Sequence, residues 1–440
     1  VRAEDPRKEE IMDRVTRTVL VLVLGGCMVA CGGKKKGGDD ADADVVEDTV
    51  DVSGEQDGPE DPEPDPAIDV EEEEDAAVDP VEEDVVDEDA PPPPPDLLYV
   101  HTVAGDYSAG SYSVIELDSM TVHGDIATMH TDGKALCFED QVFLNELMGA
   151  DTVDPLQTAS PFGVVDRHDV GENMNPVDAI LRDATHLLVV QYGGTGLVEL
   201  DLSSGSLTGT TVDLSSFDEN DDAPQAHAIA HVGSRYYVSI QRLNGWTAED
   251  PGLVLVLDDT SLALVDVDTT TPSVMDGIVL PGTNPIGRFR RLGSMLYIAL
   301  TGAWGATDGG IAVVDTTSLT ASWSIQGSTI GGDPVFGDCW EIVSNTTGYV
   351  GYGLTDGSAD AVKSFDPGAG TAASTNILTT TAGSLSGSAL TPDGRMIVGD
   401  RDSTSPGLRV IDISSGTETT TTPLAAGTHP PYSLCTYDPT

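Results

Sequence analysis

Positive charge is what this sequence has least of: 20 Lys and Arg stand against 75 Asp and Glu over 440 residues, for a formal charge of -55. An anionic excess of that size opposes diffuse attraction to nucleic acid or to anionic lipid head groups, so no nucleic-acid partner is expected. Aromatic residues are also scarce, at 5%, while Gly, Thr, Ser and Val are plentiful. That is a composition of short strands and tight turns rather than packed helices, and it predicts an all-β protein. The common short signatures of chemistry are missing too. No G-x-S-x-G, H-E-x-x-H, C-x-x-C or phosphate-cradling glycine loop occurs, which removes the usual local marks of hydrolases, metalloproteases, redox proteins and nucleotide enzymes.

The first hydrophobic run is short. After Met12 come Arg14 and Arg17, then apolar residues from Val19, interrupted by Gly25 and Gly26, then Cys27 and Cys31. A bilayer span needs roughly 20 apolar residues, so the layout fits a cleaved secretory signal better than an anchor helix. The pattern resembles the lipobox of bacterial lipoproteins, in which small residues precede the cysteine that is lipidated. Leu24-Gly25-Gly26-Cys27 and Met28-Val29-Ala30-Cys31 both qualify, and the longer apolar core favours Cys31 over Cys27. Residues 1–31 are therefore read as a lipoprotein signal region starting at Met12. The resemblance implies a palmitate-bearing protein of the cell envelope, anchored in the outer membrane and facing the periplasm or the cell surface.

Residues 32–96 form a tether. Residues 39–96 contain no Lys or Arg, 27 Asp and Glu, and a final run of five prolines, Pro91 to Pro95. Such a segment buries too little apolar surface to offset its ordering entropy, and self-repulsion extends it. Its 58 residues reach at most roughly 190 Å.

From residue 97 to residue 440 one unit recurs: an apolar strand ending in Asp, a Ser/Thr/Gly turn, a Thr-rich strand, a loop, then two more strands. The aspartates are Asp118, Asp154, Asp201, Asp258, Asp315, Asp366 and Asp412, at intervals of 36 to 57 residues. The roughly 40 to 50 residues of a four-stranded propeller blade fall within that spread, and seven copies predict a seven-bladed β-propeller. A six-bladed ring with an insertion stays open, because the second unit carries the long segment 159–175. Each Asp is expected to close a turn by accepting backbone N–H groups. With strands named A to D in chain order, the domain opens on a B-type strand, LLYVHTV, and finishes on an A-type strand, HPPYSLCTYD. Joined, the two complete one blade and remove the exposed edges that an open sheet would leave.

This repeat resembles the YVTN-type β-propellers of bacterial secreted and surface proteins, on Leu296-Tyr297-Ile298, Tyr236-Tyr237-Val238, Thr391-Pro392-Asp393-Gly394-Arg395 and the strand-ending aspartates. The resemblance implies a fold and a surface location more than a chemistry.

In this strand order the D-to-A and B-to-C loops share one face, and the longest loops fall there. They carry the ligand-face candidates Asn173, Asn175, Arg242, Trp246 and Trp304, and Arg288 stands close by on an inner strand, either as an anion site or paired with Asp178 and Asp338. Asp218, Asn220 and Asp222 have the alternate spacing of a calcium loop. An EF-hand is excluded, because Ala223 replaces the turn Gly and Ile229 the bidentate Glu. His227 and His231 are four apart, but on a strand that places them more than about 13 Å apart, too far to share a metal. Cys137 and Cys435 fall on inner strands of adjacent blades, where a bridge across the closure and separate thiols are both open. Apart from calcium no cofactor is indicated, and a monomer is expected. The functional expectation is a membrane-anchored binding module for a protein, glycan or small ligand. The alternative is a propeller enzyme of lyase or lactonase type with a channel-centred site.

Overall fold

The computed structural model describes residues 96–438, apart from residues 139, 218–222, 246, 249, 269, 271–274, 303–306 and 335–337. The lipidation candidates Cys27 and Cys31 lie outside the described residues, as does the tether up to Pro95.

Seven small antiparallel sheets carry the fold. Blade 1 contains β1 (Leu97–Val103), β2 (Gly110–Glu116) and β3 (Thr121–Met129). Blade 2 follows with β4 (Gly133–Cys137), β5 (Val142–Glu146), β6 (Thr152–Leu156) and the two-residue β7 (His168–Asp169). Blade 3 is β8 (Pro176–Asp183), β9 (His186–Gln191), β10 (Gly196–Asp201) and β11 (Ser206–Asp213). Blade 4 is β12 (Ala226–Val232), β13 (Arg235–Ile240), β14 (Pro251–Asp258) and β15 (Ile278–Thr283). Blade 5 is β16 (Pro285–Leu292), β17 (Met295–Leu300), β18 (Gly310–Asp315) and β19 (Thr320–Gln326). Blade 6 is β20 (Trp340–Ser344), β21 (Thr347–Gly353), β22 (Ala359–Asp366) and β23 (Thr371–Ala372), with β24 (Leu378–Thr381) also paired to β22. Blade 7 is β25 (Leu385–Leu390), β26 (Arg395–Asp400), β27 (Gly407–Asp412) and β28 (Thr417–Glu418). The last strand, β29 (Pro431–Tyr437), returns to blade 1 and pairs antiparallel with β1, Leu97 opposite Tyr437 and Tyr99 opposite Cys435.

The ring is closed. The innermost strands touch in the order β29, β4, β8, β12, β16, β20, β25 and back to β29. The count of seven, with complementary chain ends, follows the expectation, and the six-bladed alternative falls because β4 to β7 form a sheet of their own. The short β7 accounts for the irregularity of that unit.

One apolar layer fills each blade-to-blade interface, and there are seven such clusters. Strand β1 shows why its sequence is a continuous apolar run rather than a strict alternation. Leu97 and Tyr99 pack toward blade 2, while Leu98 and Val100 pack toward blade 7. Both faces of a central blade strand are buried, so both sets of alternate side chains must be apolar. The outer strands need no such pattern, and β11 is mostly exposed.

Five of the seven repeat aspartates close turns as expected. Asp201, Asp258, Asp315, Asp366 and Asp412 accept backbone N–H groups two or three residues on, for example Gly368 at 2.9 Å and Ala369 at 2.8 Å on Asp366 Oδ1. Asp118 sits in the turn after β2, exposed. Asp154 departs from the pattern: it lies in the middle of β6, fully buried, opposite Leu144. Its carboxylate faces Arg167 Nε at 3.3 Å, and Glu146 shares the same guanidinium, with Oε2 3.7 Å from Nη1. Burial lifts the Asp154 carboxyl to about 7, with Glu146 adding to the rise and Arg167 and Thr152 opposing it. A carboxyl whose pKa is raised on folding holds its proton more tightly in the native state, so stability is lost as pH climbs from about 4 through 7. Asp154→Asn should therefore raise stability at pH 8 by roughly 1–2 kcal/mol, allowing for solvent around the half-exposed Arg167, and change little at pH 4. Urea unfolding at the two pH values measures this; an equal effect at both would refute the burial argument.

Of the cysteines, Cys137 at the end of β4 and Cys435 in β29 form a disulfide with a Cα separation of 5.6 Å. Cys339, one residue before β20, is a buried free thiol.

Candidate functional site: the channel mouth and loop face

Each inner strand begins at the face that carries the D-to-A and B-to-C loops, so the first residues of the seven strands meet at one end of the channel. Three cations and three carboxylates are gathered there. Asp338, just before β20, is the hub. Its Oδ1 accepts the backbone N–H of Arg288 at 2.8 Å, and its Oδ2 lies 3.4 Å from Lys134 Nζ and 3.9 Å from Arg288 Nε. Its carbonyl accepts the Ser388 hydroxyl at 3.0 Å. Blades 2, 5, 6 and 7 are thereby tied together. The close approach needs Gly287, whose φ of 87° and missing Cβ leave room for the Asp338 carboxylate.

Arg288 reaches further across, its Nη2 donating to the carbonyls of Ala135 in blade 2 and Leu434 in blade 1. Beside it Arg290 Nε donates to Glu341 Oε2 at 2.8 Å, and its guanidinium lies 5.1 Å from the Trp340 ring centre. Asp178 accepts the Ile229 backbone N–H at 3.0 Å. Burial penalises the Asp338 carboxylate, but Lys134, Arg290 and Arg288 outweigh it and hold Asp338 well below the ordinary range. Asp178 has less help and burial pushes it up. His227 is kept neutral, lowered to about 4 by burial and then by Lys134, with Nδ1 3.3 Å from the Gly287 carbonyl. The channel end is thus a self-neutralised plug.

Of the two carboxylates expected beside Arg288, Asp338 is the direct partner. His231 is far from the plug in its own pair with Asp259, 3.1 Å away. The remaining ligand-face candidates are not drawn into the plug. Asn173 is exposed, and the Asp151 carboxylate fixes its loop by accepting the backbone N–H groups of Asn173 at 2.8 Å and Asn175 at 2.7 Å. The Asn175 side chain accepts from Met148 N at 3.4 Å, which makes it part of the loop's own scaffold. Arg242 folds back on its loop, toward the Pro251 carbonyl and Asp250. Trp246, Trp304 and the calcium candidates Asp218, Asn220 and Asp222 lie outside the described residues. Among the described residues no group of three or more His, Cys, Asp or Glu is placed to hold a metal ion.

Sequence reading missed a second cluster. At the same face, where blades 7 and 1 meet, the Arg401 guanidinium packs against the rings of both Tyr107 and Tyr432. The one signal was its rarity: residues 97–440 hold only 12 Lys and Arg. On the opposite face a cleft of about 470 Å³ opens in blade 2 between the turn at Gln141 and the segment 157–165.

No family model matches the chain, and no curated protein matches it in sequence. Solved structures do match. The periplasmic gluconolactonase PpgL of Pseudomonas aeruginosa is 13% identical, covers 78% of this chain and 99% of its own, and superposes with a TM-score of 0.53. A protein from Lactobacillus plantarum is 14% identical, over 78% of this chain and 100% of its own, at 0.53. A quinoprotein alcohol dehydrogenase-like protein from Bacteroides thetaiotaomicron is 13% identical, over 78% of each, at 0.50. What they share with this chain is the propeller fold. At such identities the likeness extends to architecture alone.

Proposed function

We propose that this protein is an outer-membrane lipoprotein of the YVTN-type propeller class, anchored through Cys31. Its propeller acts as a binding module whose loop face takes a protein, glycan or small ligand, and the acidic tether sets its reach. The observation that carries the binding role is where backbone strain is concentrated. Of fourteen non-glycine residues with positive φ among the described residues, nine lie on this face: Tyr107, Met148, Asp151, Asn173, Asn175, Gln225, Arg242, Asn284 and Asp338. Strained conformations persist where surrounding structure holds them, and they gather at ligand-binding surfaces. The plug below supplies that rigid support, and the loops above it are free to differ from blade to blade.

The test uses the full-length protein on glycan and peptide arrays. Reversing the character of the loop face with Asn173→Lys and Arg242→Glu should weaken the strongest signal at least about tenfold, while Ser204→Lys and Ser318→Glu on the opposite turns should leave it unchanged. Loss with the second pair alone would overturn the assignment of the face, and turnover of gluconolactone abolished by the first pair would replace binding with catalysis. Cys31→Ser should abolish labelling by radioactive palmitate, whereas continued labelling would move the anchor to Cys27.

A further inference from the structure

Arg401 is the first residue after β26, at the loop-face mouth of the channel. Its Cζ lies 5.3 Å from the ring centre of Tyr107 and 5.1 Å from that of Tyr432. The two rings stand edge to face, 6.3 Å apart, and beyond Tyr432 the buried His101 meets its ring edge-on at 5.8 Å. His101, Tyr432 and Tyr107 thus form a run of rings from the interior to the surface, with Arg401 packed beside the two tyrosines, and Tyr107 is 46% exposed.

Like Arg235 and Arg291, Arg401 has no carboxylate partner among the described residues, whereas the channel cations Lys134, Arg288 and Arg290 each have one. Its neighbours in sequence are committed elsewhere. Asp400 takes Arg409 Nε at 2.6 Å and the Asp402 backbone N–H at 2.9 Å. Asp402 turns to Thr404 N at 2.8 Å, Thr381 Oγ1 at 2.8 Å and Ser405 N at 3.0 Å. The Arg401 backbone is pinned by its N–H to the Ser384 carbonyl at 2.7 Å, yet its Nη1 is buried with no acceptor. His101 Nδ1, at the inner end of the run of rings, is likewise buried without a partner, while its Nε2 is 2.9 Å from the His130 carbonyl. A buried donor left unpaired is costly and calls for an explanation, and at a channel mouth an acceptor on a ligand is one that supplies it.

We propose that Arg401, packed against the edge-to-face pair Tyr107 and Tyr432, is the recognition point for the carboxylate of a small acidic sugar. The planar guanidinium matches a carboxylate with two parallel hydrogen bonds. Tyr107, 46% exposed beside the guanidinium, offers an aromatic surface to the apolar side of a sugar ring. A singly charged ligand suits the site better than a phosphate dianion, because the surrounding field of 43 Asp and Glu in residues 97–440 penalises each added negative charge. The proposal deepens the loop-face reading and rests on it.

Calorimetric titration of the full-length protein with sodium glucuronate tests it, with methyl glucoside and inorganic phosphate as companion probes. Glucuronate should bind wild type and Arg235→Gln alike, and Arg401→Gln and Tyr107→Ala at least about tenfold more weakly at unchanged melting temperature. Arg401→Lys keeps the charge but loses the planar fork, and should also weaken binding, so the idea stays exposed even if Arg401→Gln fails to fold. Absence of heat from glucuronate up to about 50 mM, or equal affinity in Arg401→Lys, overturns the site. Phosphate binding as tight as glucuronate overturns the carboxylate assignment. If glucuronate fails while Asn173→Lys with Arg242→Glu still abolishes array binding, only the Arg401 site falls and the loop-face function stands.

Discussion

Asp338→Ala should destabilise the propeller by about 3–5 kcal/mol, because it strands buried cations rather than merely deleting a contact. The Asp338 side chain is 9% exposed, Lys134 14% and Arg288 19%, so solvent does little to relieve the two cations once the carboxylate is gone. Arg290 stands behind them, and the Arg288 backbone N–H loses its acceptor as well. Asp338→Asn separates the two contributions. It keeps an acceptor for that N–H but not the charge, and should recover a minority of the loss. Urea unfolding at pH 7 measures both. A cost below about 1 kcal/mol for the alanine variant would mean that water enters the channel end and screens the charges. The pH dependence has a definite sign. A carboxylate depressed on folding contributes stability that is present above its unfolded pKa, near 4, and is lost as pH falls below that toward the folded value. The stabilising share of Asp338 should therefore be intact at pH 6 and shrink progressively below pH 4.

The second large effect belongs to the closure. Cys137 and Cys435 are 298 positions apart, so their bond spans nearly the whole propeller. Chain entropy of a loop that long corresponds to about 6 kcal/mol of stabilisation acting through the unfolded state. Opening the bond by Cys137→Ser with Cys435→Ser should lower the melting temperature by roughly 5–10 °C, given the shallow response of a domain this large. The ring should still close at low temperature, since β29 keeps its pairing with β1 and Leu434 remains in the apolar layer shared with blade 7. Alkylation of the denatured protein gives an independent check. Within the propeller only Cys339 should react without reductant, and all three cysteines with it; reaction of Cys137 and Cys435 before reduction would remove the bond from the account.

Both effects depend on residues that the sequence marked only in part. Arg288 stands out in the sequence as a charge on an inner strand, and its pairing with Asp338 is one of two open readings. Lys134, which completes the hub from the far side of the channel, carried no signal, because its neighbours are set by a register 204 residues away. Asp154 was misplaced for a related reason. It ends the string ADTVD as the other aspartates end theirs, but in blade 2 the strand runs on through Pro155 and Leu156, which moves the carboxylate from a turn into an interface with Tyr112 nearby. Arg401 carried no motif at all; only the convergence of a loop in blade 7, a loop in blade 1 and the closing strand gives it two aromatic neighbours.

The sequence by itself determined the all-β class, the seven-fold repeat, the order of strands within a unit and the manner of closure. These follow from local periodicity, turn chemistry and two complementary chain ends, all of which are properties of short stretches. Tertiary structure alone decided which cysteines bond, which charges neutralise one another in the channel, and which arginine sits against two tyrosine rings. Those outcomes depend on side chains from different blades meeting at distances of a few ångströms, and one residue of register in any inner strand would exchange the partners.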